Sequence, residues 1–139
     1  KLRLLTSEGS VYGNPAEDRC PGPTLYGIFN DRRQGFVTND DMTLQLSSAE
    51  KSAVTDAGRL LSSLKLSSII PETITHQRFR GFRVKIHKGG PEVSLGQYPF
   101  SARIERLEKI LSKLKRKRQV AERIELDYQG KAFIKLKKL

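Results

Sequence analysis

Gly81-Phe82-Arg83-Val84-Lys85-Ile86-His87, followed by Gly89-Gly90 and then Glu92-Val93-Ser94-Leu95, is the stretch on which the fold turns. Phe82, Val84 and Ile86 alternate strictly with Arg83, Lys85 and His87, the period of a strand with one dry and one wet face. The paired glycines supply a turn, so the two runs meet as a hairpin. Thr73-Ile74-Thr75 carries the same texture upstream, and the three runs read together as a meander.

Helical periodicity flanks this meander on both sides. Ser47 followed three residues later by Glu50 is a capping box, and Ala53, Val54, Ala57, Leu60, Leu61 and Leu64 recur at helical spacing, which predicts a helix over about residues 47 to 64. Downstream, Pro99 opens a second helix with Ile104, Leu107, Ile110, Leu111 and Leu114 on one stripe and Arg103, Arg106, Lys109 and Lys113 facing away. Alternation returns over residues 121 to 128 and 131 to 136 around Gln129-Gly130, predicting a terminal hairpin. Toward the N-terminus, residues 2 to 5 and 11 to 13 around Ser7-Glu8-Gly9-Ser10 read as another hairpin, with Thr24-Leu25-Tyr26 a short extended segment. Residues 14 to 23 and 30 to 41 read as loops, the second a solvated insertion, and no internal repeat is present. The expectation is an α+β fold: a mixed, largely antiparallel sheet with two amphipathic helices on one face, ending in a C-terminal hairpin.

A chain of 139 residues with 37% hydrophobic content fits one domain that can bury a usable core without cofactors. Cys20 is alone, which excludes an internal disulfide and a thiolate zinc cluster. Catalysis lacks its usual parts: His76 and His87 are isolated, and there is no H-E-x-x-H, no G-x-S-x-G elbow and no P-loop. We expect no catalytic residues, no metal site and no cofactor. No run is long and apolar enough to span a membrane, so an anchor or export signal is expected outside this fragment.

The charge is uneven. Residues 1 to 75 hold 8 basic and 9 acidic side chains, a net of −1, whereas residues 76 to 139 hold 18 and 6, a net of +12. Lys113, Lys115, Arg116, Lys117 and Arg118 form the densest run and a candidate anion-binding site. They suit a solvated helix end at the negative pole of its dipole, contact with phosphate or anionic lipid, or an acidic protein partner. With aromatics at 7% and no Trp, the stacking surfaces of nucleic-acid readers are missing. The final hairpin places Lys131, Lys135, Lys137 and Lys138 along what reads as a sheet edge. Either the lysines only guard that edge against aggregation, or its free backbone groups receive a strand from a partner.

The order of elements, with particular residues in them, resembles the extracytoplasmic β-domain of the FtsQ/DivIB cell-division proteins over essentially the whole chain. Pro23-Thr24-Leu25-Tyr26-Gly27 resembles the family's Pro-x-Leu-x-Gly segment, and Val93-Ser94-Leu95-Gly96 its Val-x-Leu-Gly before the second helix. Residues 121 to 132, Ala-Glu-Arg-Ile-Glu-Leu-Asp-Tyr-Gln-Gly-Lys-Ala, resemble its R-I-D-L-R-Y-x-G-x-A ending, with Glu125 and Asp127 in place of the usual Asp and Arg. The resemblance implies a single-pass inner-membrane protein of the division septum, whose cytoplasmic tail, transmembrane helix and POTRA domain would precede this extracytoplasmic domain. It implies a non-enzymatic scaffold that binds FtsB/FtsL-type coiled-coil partners, among other divisome components, by strand addition at the terminal hairpin. Carried over by position, the resemblance implies that Tyr128 is the interface tyrosine and that Gln129, Gly130, Lys131, Ala132, Phe133, Ile134 and Lys135 would form the turn and receiving edge. The alternative is a basic module that binds nucleic acid or an anionic membrane.

Overall fold

The computed structural model describes residues 4–5, 11–12, 23–27, 43–44, 48–128 and 130–138. In chain order the elements are β1 (Leu4–Leu5), β2 (Val11–Tyr12), β3 (Thr24–Tyr26), β4 (Thr43–Leu44), α1 (Ser48–Leu66), β5 (Pro71–Gln77), β6 (Gly81–Ile86), β7 (Glu92–Gly96), α2 (Ser101–Arg116), β8 (Ala121–Glu125) and β9 (Phe133–Leu136). The fold is α+β. The main sheet has six strands in the order β3-β5-β6-β7-β8-β9, and β1-β2-β4 form a separate small one.

Strands β5, β6 and β7 are the meander read from residues 73 to 95, antiparallel throughout. The joins β3·β5 and β7·β8 are parallel, and a parallel join needs a crossover that a hairpin turn cannot make. Helix α2 makes the crossover from β7 to β8, and α1 lies in the longer connection from β3 to β5. The N-terminal hairpin is present as β1 against β2, and β4 adds to it as a strand that no periodicity announced, since two residues carry no period. The loops over residues 14–22 and 30–41, Cys20 and the Ser47 cap lie outside the described residues.

Both helices bury their apolar stripes on the same face of the main sheet. Leu60 and Leu64 of α1 and Ile104, Leu107 and Leu114 of α2 join Ile74, Phe82, Val84, Val93, Leu95 and Ile124 in one cluster. Each fully buried leucine or isoleucine contributes about 1.5–3 kcal/mol by leaving water. Strand β8 departs from strict alternation: Ala121 and Ile124 are both buried although three positions apart. A register shift between Ala121 and Arg123 absorbs the extra residue, which returns Ile124 to the core face. Among the described residues, no helix is long and apolar enough to cross a membrane.

The start of α2 corrects the reading of Pro99 and Arg103. The helix begins at Ser101 with Phe100 at the N-cap, where no side chain caps the free amides. Phe100 is instead a buried anchor, edge-on to Phe82 at 5.7 Å and to Tyr98 at 5.8 Å. Arg103 does not face away with Arg106, Lys109 and Lys113. Its Nη1 donates to the carbonyl oxygens of Leu95 at 2.8 Å and Gln97 at 2.6 Å, tying the β7–α2 connection to the helix. That connection turns at Gly96, φ +72°, where an added Cβ would lie 3.2 Å from Asp127 and 3.3 Å from Arg103.

Candidate functional site: an apolar sheet edge

The last strand of the main sheet differs from the others in what it leaves uncovered. Ile134 lies opposite Ile124 and Leu136 opposite Ala121, so both share the face that carries the core, yet each is 42% exposed. Alternation in residues 131 to 136 therefore marks a strand without giving it a buried face. The core cluster reaches Ala121, Ile124 and Leu126 and includes no residue of β9, whose four residues are all exposed. Phe133, opposite Glu125, and Lys135, opposite Arg123, occupy the other face.

Tyr128 belongs to the same patch. Leu126 N–H donates to the Ser94 carbonyl at 2.9 Å and carries the β7·β8 pairing one residue past β8, after which the chain turns. The turn brings the Tyr128 ring edge-on to Phe133, centroids 5.1 Å apart, with each residue 52% exposed. Aromatic contact of this geometry adds roughly 0.5–1.5 kcal/mol beyond area burial and holds both rings in place. Four large apolar side chains, Tyr128, Phe133, Ile134 and Leu136, thus lie exposed on one hairpin.

The other predicted site residues divide by location. Lys131 and Ala132 lie in the turn before β9, where Lys131 N–H donates to the Tyr128 carbonyl at 3.4 Å, and Gly130 is in the same turn. Gln129 lies outside the described residues. Lys135 Nζ is 3.7 Å from Glu122 Oε2, an exposed pair worth little. The cationic run is apart from this patch: Lys113, Lys115 and Arg116 end α2, Lys117 caps it, and Arg118 follows, all exposed.

The register also assembles a neighbourhood that the sequence reading missed. Thr75, Arg83, Ser94, Glu125 and Phe133 are successive partners across five strands on the face away from the helices. A hollow of about 210 Å³ opens there, lined by Arg80, Arg83, Ser94, Glu125, Asp127 and Tyr128 among others. Its cations come from around residue 80 and its carboxylates from around residue 126, so no local motif could reveal it. Leu136 closes the apolar pattern, and its exposure follows from where the core cluster stops.

His76 packs its ring 4.8 Å from that of Phe82, and the backbone N–H of His87 donates to the Ile70 carbonyl at 2.8 Å, extending the β5·β6 pairing by one residue. What the hairpin presents is main-chain hydrogen-bonding capacity along an edge, flanked by aliphatic and aromatic side chains. Compared with known proteins, the sequence matches no family model and no curated protein.

Proposed function

We propose that the chain is a non-catalytic interaction domain that receives an extended segment of a partner protein along β9. The observation that carries this reading is the exposure of Phe133, Ile134 and Leu136 on a strand with no neighbour beyond it among the described residues, with Tyr128 exposed in the turn beside Phe133. A strand whose only task is to end a sheet safely is served by charge, proline or brevity. Here Lys135 alone interrupts the apolar run Phe133 to Leu136. The opposite edge contrasts with it, because β3 has three residues with Thr24 and Leu25 half-buried. An added strand would satisfy the free amides and carbonyls of β9 while its alternate side chains cover Ile134 and Leu136 on one face and Phe133 on the other.

The FtsQ/DivIB resemblance supplies the partner class. On that reading the chain is the extracytoplasmic β-domain of a single-pass inner-membrane scaffold at the division septum. The incoming strand would be the segment that follows the coiled coil of an FtsB/FtsL-type protein. Tyr128 and Phe133 serve as anchors, and the lysines on and after β9 favour an acidic segment.

An amide-resolved NMR titration with such a segment, at moderate and at high salt, tests both claims. Shifts should concentrate on residues 121 to 136 and survive high salt, since backbone bonds and apolar burial carry the complex. Tyr128→Ala and Phe133→Ala should each weaken binding about tenfold, as truncation of an interface anchor does. Unchanged affinity in both folded variants would refute the site.

A further inference from the structure

The end of the sheet opposite the Tyr128 turn gathers a second surface. Pro71 pairs with Ile86, Lys85 with Glu92, Glu92 with Arg123 and Ala121 with Leu136. The starts of β5, β7 and β8 and the ends of β6 and β9 therefore share one pole, and both helices terminate toward it. Lys115, Arg116, Lys117 and Arg118 reach it from α2, Lys88 from the β6–β7 turn, and Lys137 beside Val120, to whose carbonyl its N–H donates at 2.7 Å. Two of the nearby carboxylates are already engaged, Glu92 with Arg83 at 3.0 Å and Glu122 with Lys135 at 3.7 Å.

Among these cations stand apolar side chains that the core does not use. Leu66 is 89% exposed, Ile70 63% and Val120 48%. Two of the basic residues also sit where a basic residue is costly: Lys88 at φ 61° and Arg118 at φ 55° occupy the left-handed region that glycine fills without strain. The negative end of the α2 dipole accounts for basic residues in its last turn only. It accounts neither for Lys88 and Lys137, which arrive on other elements, nor for the exposed apolar side chains.

We propose that this pole is a contact surface for a lipid bilayer bearing anionic headgroups. Cations from three elements meet the headgroup phosphates, and Leu66, Ile70 and Val120 enter the headgroup–acyl boundary. The apolar members decide between polyanions, because a nucleic-acid backbone offers them nothing to enter. The proposal shares only Lys137 with strand addition at β9, and none of its residues is an anchor there.

Vesicle co-sedimentation of the full chain tests it, with phosphatidylglycerol–phosphatidylcholine vesicles against phosphatidylcholine alone. The chain should sediment with the first and not with the second. Neutralising Lys115, Arg116 and Lys117 together should lower binding about 100-fold, roughly fivefold per charge. Arg118→Gly should weaken binding about fivefold while leaving the urea midpoint equal or higher, an opposite pairing that a merely structural residue would not give. The chain contains no Trp, so Leu66→Trp reports insertion directly, and its emission should shift to the blue only with the anionic vesicles. Absence of binding, equal binding to both vesicle types, or an unshifted Leu66→Trp emission in the bound state would overturn the proposal. So would tighter capture of duplex DNA that persists when Leu66, Ile70 and Val120 are all serine.

Discussion

At φ +82°, Gly27 comes so close to β5 that a Cβ added to it would sit 2.0 Å from the His76 carbonyl oxygen. The obstacle is backbone, which cannot rotate away, and the conformation is itself strained for a side chain. Gly58 is the reverse case, a helix-interior glycine in α1 whose added Cβ would meet nothing within 4 Å. We therefore expect opposite signs in urea denaturation: Gly27→Ala loses about 2 kcal/mol or more, and Gly58→Ala gains about 0.5–1 kcal/mol from helix propensity. If both variants moved the midpoint in the same direction, the close approach of Gly27 to β5 would be wrong. The residue scale is also where sequence reading met its limit. Arg103 stands in a row of cations at helical spacing, and only the carbonyls of Leu95 and Gln97 converging on it set it apart from Arg106 and Lys109.

Helix α2 was readable as an element because its stripe is sharp. Ile104, Leu107 and Leu114 are buried and Ile110 and Leu111 packed against the core, as their spacing requires. Leu107→Ala should cost about 2–5 kcal/mol, the range for truncating a buried leucine, whereas Lys109→Ala on the exposed face should stay within about 0.5 kcal/mol. Equal effects in thermal or urea unfolding would mean that the stripe faces elsewhere. Strand β9 shows why an element's period does not settle its burial. Ile134 and Leu136 share one face around Lys135, but burial needs a layer above the strand, and the core cluster stops at β8. The same pattern on β6, in the middle of the sheet, is buried at Phe82 and Val84.

For the whole molecule the dominant feature is the net charge of +11, which is concentrated in the half of the chain that builds most of the main sheet. With so many cations at one pole, folding brings like charges closer than they are in the unfolded chain, and repulsion opposes the compact state. Adding sodium chloride shortens the screening length from roughly 30 Å at 0.01 M to about 10 Å at 0.1 M. The calorimetric midpoint should rise over that range by about 4 °C, equivalent to about 1 kcal/mol; a flat or falling midpoint would mean that pairs such as Arg83 with Glu92 outweigh the repulsion. The sequence by itself determined the two helices, the meander, the terminal hairpin and the imbalance of charge, because each is written in neighbours two, three or four positions apart. Only the tertiary structure decided the parallel joins, the hollow beside Tyr128, the exposure of β9 and the meeting of Leu66, Ile70 and Val120 with cations from other elements. Those features depend on contacts between residues far apart in the chain and on where one layer stops covering another, and local periodicity carries no record of either.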